Sequence, residues 1–141
     1  MAEPTYAGDV EPKKAWEILS QDPKAVLIDV RTRPEWNFVG APDLSSLGKQ
    51  ALFVEWQAYP ELQLNPRFVA EVEANAVPKD APIFLLCRSG ARSKSAAIAL
   101  TKLGYKSCFN VSDGFEGPKD PSGHRGGAAG WKAQGLPWQQ G

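Results

Sequence analysis

Two short apolar runs organise the chain. The first, Ala25-Val26-Leu27-Ile28, ends in Asp29-Val30-Arg31; the second, Ile83-Phe84-Leu85-Leu86, ends in Cys87-Arg88. Neither alternates apolar with polar positions, so each reads as a strand covered on both faces. A third strand region is expected over Leu52-Phe53-Val54-Glu55-Trp56 and another over residues 107–111. Between them the pattern predicts helices. One covers residues 12–19, with Pro12 near its start. One covers residues 65–74, capped by Asn65 with Pro66 in its first turn. One covers residues 93–103 and ends at Gly104. Arg33-Pro34-Glu35-Trp36 reads as a break that starts a turn. Residues 130–138 read as a short helical turn, ended by Gly135 and stopped by Pro137. Strands alternating with helices predict an α/β fold: a central parallel sheet with right-handed crossovers and helices on both faces. In such sheets function collects beyond the carboxyl ends of the strands. Asp29-Val30-Arg31 and Cys87 both fall there, so the topology should bring them to one edge.

Composition narrows the function. A length of 141 residues suits one domain, 1–141, with its core over about 10–138. Sixteen basic residues balance sixteen acidic ones, which argues against a nucleic-acid or membrane-surface partner. No apolar stretch is long enough to span a bilayer. Met1-Ala2-Glu3-Pro4-Thr5-Tyr6 shows no secretory pattern, so a cytoplasmic location is expected. Two cysteines, Cys87 and Cys108, are too few for a disulfide scaffold. Residues 117–130 read as a glycine-rich loop insertion. It contains the only histidine, His124, read as a solvated loop residue, since one histidine cannot make a metal site. No metal and no cofactor are implied.

Cys87 carries the candidate chemistry. It sits where a strand turns into a helix, with Arg88 and Arg92 close in sequence. Helix N-termini present unpartnered N–H groups, and dipole and arginines together favour an anion. A thiol so placed is expected to act as a thiolate nucleophile. Cys108, beside Phe109, reads as core. Arg88 projects from the loop as the better substrate contact. Arg92 either faces the site or fixes the helix start through an ion pair. Asp29 reads as a structural carboxylate that ties loops together; for Arg31 a structural and a catalytic role are both open. Trp36 and Trp131 are candidates for the pocket rim.

Loop length separates related chemistries. Four residues lie between Cys87 and Arg92. Protein tyrosine phosphatases and low-molecular-weight arsenate reductases use five, to wrap a tetrahedral oxyanion. A shorter loop leaves a smaller pocket, matched to one added sulfur. The ordered set Leu27-Ile28-Asp29-Val30-Arg31, Cys87-Arg88-Ser89-Gly90-Ala91-Arg92-Ser93 with Ala96-Ala97 and Leu100, Gly104-Tyr105, Asn110-Val111 with Asp113-Gly114, and Gly130-Trp131-Lys132-Ala133 with Gly135-Leu136-Pro137 resembles the rhodanese family of sulfurtransferases. The match runs in family order over residues 12–138.

The resemblance implies a single rhodanese-like domain with a catalytic Cys87. That cysteine would take a sulfane sulfur from a small donor such as thiosulfate and pass it to cyanide or a thiol, including one carried by a protein. N–H groups from Arg88, Ser89, Gly90, Ala91, Arg92 and Ser93 would hold the persulfide, with Asp29 and Arg31 in support. The sequence departs from the family pattern in two places. The histidine of the family's His-x-x-Gly-Ala element is missing where this chain reads Phe38-Val39-Gly40-Ala41-Pro42-Asp43, and the 117–130 loop is added. Two other readings compete. A phosphatase or arsenate reductase is disfavoured by loop length. A non-catalytic rhodanese-like module that binds a partner or senses oxidants is weakened by the retained cysteine.

Overall fold

A computed structural model describes residues 6–58, 63–75, 77–88, 91–117 and 130–139. In chain order these form β1 (Gly8–Val10), α1 (Pro12–Gln21), β2 (Val26–Asp29), α2 (Arg33–Phe38), β3 (Ala41–Pro42), β4 (Leu52–Phe53), β5 (Gln57–Ala58), β6 (Gln63–Leu64), α3 (Phe68–Ala74), β7 (Pro82–Leu86), α4 (Ala91–Lys102), β8 (Ser107–Val111) and β9 (Trp138–Gln139). A single 3-10 turn, Ser45–Leu47, precedes β4.

The two apolar runs become β2 and β7, neighbours at the centre of a five-stranded sheet ordered β1-β8-β7-β2-β4. Every pairing in it is parallel. Successive strand residues face opposite sides, so each run feeds two cores. Ile28, Ile83 and Leu85 join Phe68 and Val72 of α3 and Ala96, Ala97 and Leu100 of α4. Leu27, Phe84 and Leu86 join Ala15 and Leu19 of α1 with Phe115 and Trp131. This double burial is why the runs carry no alternation.

Four expectations need correction. Arg33-Pro34-Glu35-Trp36 is helix α2, not a turn. Glu35 reaches back to accept hydrogen bonds from the Thr32 N–H at 3.2 Å and its hydroxyl at 3.0 Å, and Pro34 is harmless in a first turn. Helix α3 starts at Phe68, not Asn65. The Asn65 side chain accepts the Arg67 N–H at 3.0 Å and makes a turn one step earlier. Trp131 is fully buried rather than a rim residue; its indole N–H donates to the Pro137 carbonyl at 2.7 Å. Trp36 is half-buried and meets the exposed Phe53 edge to face at 5.1 Å. The expected third strand pairs regularly only at Leu52–Phe53, though Val54 and Trp56 still donate to the Asp29 and Val30 carbonyls at 3.1 Å.

Candidate active site

Strand β2 sets Asp29 opposite Leu86 of β7, which brings Asp29 and Cys87 to the same sheet edge as expected. Cys87 follows the last residue of β7, and α4 opens at Ala91. The thiol therefore lies between a strand's carboxyl end and a helix's amino end. It belongs to the same core as Ile83 and Leu85 and is 1% exposed.

The backbone around Cys87 is held by the turn after β8. The Phe115 N–H donates to the Cys87 carbonyl at 2.8 Å; Glu116 and Gly117 donate to the Arg88 carbonyl at 3.0 and 3.1 Å. Gly114 makes that approach possible. Its φ is +63°, and a Cβ there would stand 2.5 Å from both the Cys87 and Arg88 carbonyl oxygens. Backbone must move to admit a side chain. Gly114→Ala is expected to cost about 2–4 kcal/mol from strain and overpacking and to change the alkylation rate of Cys87. A melting temperature equal to the parent's would show that the clasp yields freely.

Ser93, in the first turn of α4, is fully buried. Its hydroxyl oxygen lies 3.2 Å from Cys87 Sγ and 2.5 Å from Asn110 Oδ1. Arg92 makes the ion pair that was one of its two expected roles, but with α2. Its two terminal nitrogens donate to the two Glu35 oxygens at 2.8 and 2.9 Å. Burial alone would push the Glu35 carboxyl up; hydrogen bonds and charge from Arg92, with Thr32, outweigh it and leave the carboxyl below its ordinary range. Burial disfavours the Arg92 cation, yet Glu35 first and then the charges at Cys87 and Asp29 raise its pKa. Arg92 thus lies within the field of the thiol while its donors serve Glu35. Arg88 is exposed.

A depressed Glu35 pKa fixes a pH dependence. The pair's contribution is complete above the unfolded carboxyl pKa of about 4.3 and is lost as pH falls through the lower folded value. The gap in melting temperature between the protein and Glu35→Gln should be widest near neutrality and close below about pH 4. A gap constant from about pH 7 to pH 3 would remove the pair as its source.

Asp29 and Arg31 are both fully buried. Arg31 Nη2 donates to Asp29 Oδ2 at 2.7 Å and to the Gly40 carbonyl at 2.8 Å, while Nε donates to Asp29 Oδ1 at 3.0 Å. The guanidinium lies over the Phe115 ring, 4.2 Å from its centroid. This pair ties β2, the loop before β3 and the turn that clasps Cys87.

Cys108 is core, as expected. Burial pushes its thiol up to about 11. It sits opposite Ile83, four residues or about 13 Å along β7 from Cys87, beyond disulfide reach. Ser89, Gly90, His124 and residues 118–129 of the glycine-rich loop lie outside the described residues. Among the described residues no group of three or more His, Cys, Asp or Glu could hold a metal ion, and no helix is long and apolar enough to cross a membrane. Two further residues act on the site through Arg92 and Ser93: Glu35 and Asn110. Glu35 was detectable from the Thr32-x-x-Glu35 capping signature. Asn110 was visible only as part of a family pattern, with no local sign of its chemistry.

A model of the family described as STR4 middle domain matches residues 8–141, and the chain belongs to this rhodanese-like family. The crystal structure of Rv0390 from M. tuberculosis is 51% identical and superposes with a TM-score of 0.89, covering 96% of this chain and 99% of that one. An uncharacterized RP600 homolog of Rickettsia rickettsii is 42% identical over 126 residues, 89% of this chain and 92% of its own length. The thiosulfate sulfurtransferase GlpE of Actinobacillus succinogenes is 28% identical over 131 residues, 93% of this chain and 89% of its own.

Proposed function

We propose that this protein is a sulfurtransferase that moves a sulfane sulfur through a Cys87 persulfide. The observation that carries the reading is the placement of the thiol: at the end of β7, ahead of α4, with the Ser93 hydroxyl 3.2 Å from its sulfur. Similarity to a thiosulfate sulfurtransferase supports it. In the first half-reaction the Cys87 thiolate attacks the outer sulfur of thiosulfate. The bond between that sulfur and the sulfonate breaks, and sulfite leaves with the electron pair. In the second, cyanide or a thiolate attacks the outer sulfur of the persulfide. The S–S bond breaks and Cys87 returns as thiolate. With cyanide the product is thiocyanate, and no outside oxidant or reductant is consumed.

Such a covalent relay predicts ping-pong kinetics. N–H groups at the amino end of a helix such as α4 favour an anion and would serve as the anion hole. Exposed Arg88 draws in the anionic donor, since Arg92 is committed to Glu35. A reactive thiol of this kind suits a reducing compartment such as the cytoplasm.

The test is intact mass after thiosulfate treatment. One sulfur should be gained and then lost on adding cyanide. If neither thiosulfate nor a small persulfide adds sulfur while Cys87 still alkylates, the transfer reading fails and the binding-module reading takes its place.

A further inference from the structure

A polar chain reaches the thiol from the far edge of the sheet. Strand β1 lies beside β8 with Asp9 opposite Asn110. Asn110 Nδ2 donates to Asp9 Oδ1 at 3.0 Å, and the Tyr6 hydroxyl donates to the same oxygen at 3.0 Å. An ionised carboxylate only accepts, so the amide nitrogen must face Asp9 and the amide oxygen must face Ser93. That oxygen lies 2.5 Å from Ser93 Oγ. It carries no proton, so the contact must contain the single hydroxyl proton of Ser93. Cys87 Sγ, 3.2 Å from Ser93 Oγ, is the other acceptor within reach of that one proton; while Asn110 holds it, Ser93 presents a lone pair to the sulfur.

We propose that Asn110, oriented by Asp9, is a positioning residue that sets where the Ser93 proton lies and so which state of the Cys87 sulfur the site favours. The proposal rests on Cys87 being the reactive thiol. A thiol can donate its own proton to the lone pair on Ser93 Oγ. When the thiol proton departs to solvent, the Ser93 hydroxyl can rotate to donate to the sulfur alongside the backbone N–H groups, giving up Asn110. Asn110 therefore competes with the sulfur for the Ser93 proton. During transfer, the step in which Cys87 leaves as thiolate is the one that draws the Ser93 proton across. The group acts through Ser93 and touches no substrate.

The pH dependence of Cys87 alkylation by iodoacetamide, followed by mass at the Cys87 peptide, tests this. It requires no sulfur transfer, so it stays informative if thiosulfate loading fails. Asn110→Leu removes the acceptor and frees Ser93 to donate to sulfur. The midpoint of the profile should move to lower pH by about one unit, giving about tenfold faster alkylation below it. Asp9 is exposed on an edge strand, so Asp9→Ala should leave the fold intact. It lets the Asn110 amide turn its NH₂ toward Ser93, and the midpoint should move the same way by less. Adding Ser93→Ala to either variant should abolish the shift, because the relocated proton is gone. An unmoved midpoint in both single variants would overturn the proposal. So would a shift that persists without Ser93, or a uniform rise in rate at every pH, which is the mark of a merely loosened site.

Discussion

Cys87→Ser lowers sulfur transfer from thiosulfate to cyanide by at least about a thousandfold and abolishes the mass gain on thiosulfate treatment. A serine hydroxyl at this position is a far weaker nucleophile near neutral pH and cannot form a persulfide. The fold should tolerate the change. The smaller oxygen keeps a polar group beside Ser93 and within reach of the amino end of α4, so the circular dichroism spectrum should match the parent's. Cys108 cannot stand in. It lies opposite Ile83 on β8, is fully buried, and has its thiol pushed up to about 11 by burial. Cys108→Ala should therefore keep sulfur loading. Sulfur uptake by Cys87→Ser at the parent level would end the mechanism.

Asp29→Ala destabilises the protein by about 3–5 kcal/mol and lowers its melting temperature by about 10–20 °C. The size follows from burial. Both members of the Asp29–Arg31 pair are 0% exposed, and removing the carboxylate leaves a guanidinium in a dry site where, among the described residues, the Gly40 carbonyl and the face of Phe115 remain for compensation. Among the described residues Arg31 Nη1 has no hydrogen-bond partner, so they offer the cation no reserve of contacts. Removing both charges should be milder: Asp29→Leu with Arg31→Met is expected to recover most of the loss, because an intact buried pair costs much of its attraction in desolvation. Equilibrium urea unfolding measures both. A single variant within about 1 kcal/mol of the parent would show that water reaches Arg31 and that the pair is not dry.

The pair also shows what structure adds to a reading that sequence left open. Arg31 follows Asp29 by two residues at a strand end, a spacing compatible with a catalytic arginine or a structural one. Its enclosure by Gly40 and Phe115 depends on two other loops, and that enclosure gives the arginine the contacts of a tie. Strand β1 was missed for a similar reason. Gly8–Val10 is three residues long, too short for a periodic pattern to register, and it is a strand because β8 offers an edge. Helix α2 carries a local signal of its own, since Glu35 is the far half of a capping box that begins at Thr32, and Pro34 in its first turn is compatible with a helix as well as with a break.

The amino-acid sequence by itself determined the alternation of strands and helices, the central place of β2 and β7, the mounting of Cys87 between a strand and a helix, and the burial of Cys108. These are readable because continuous apolarity, glycine helix stops and a cysteine beside arginines act over a few neighbouring residues. Only the tertiary structure decided what each polar side chain near the thiol does. Arg92 is held by Glu35, 57 residues away, and Asn110 by Asp9, 101 residues away. Such partners are chosen by strand order and helix packing. Hydrogen bonds and ion pairs need contact within a few ångströms, and the two residues of such a pair carry no shared local pattern that would announce it beforehand.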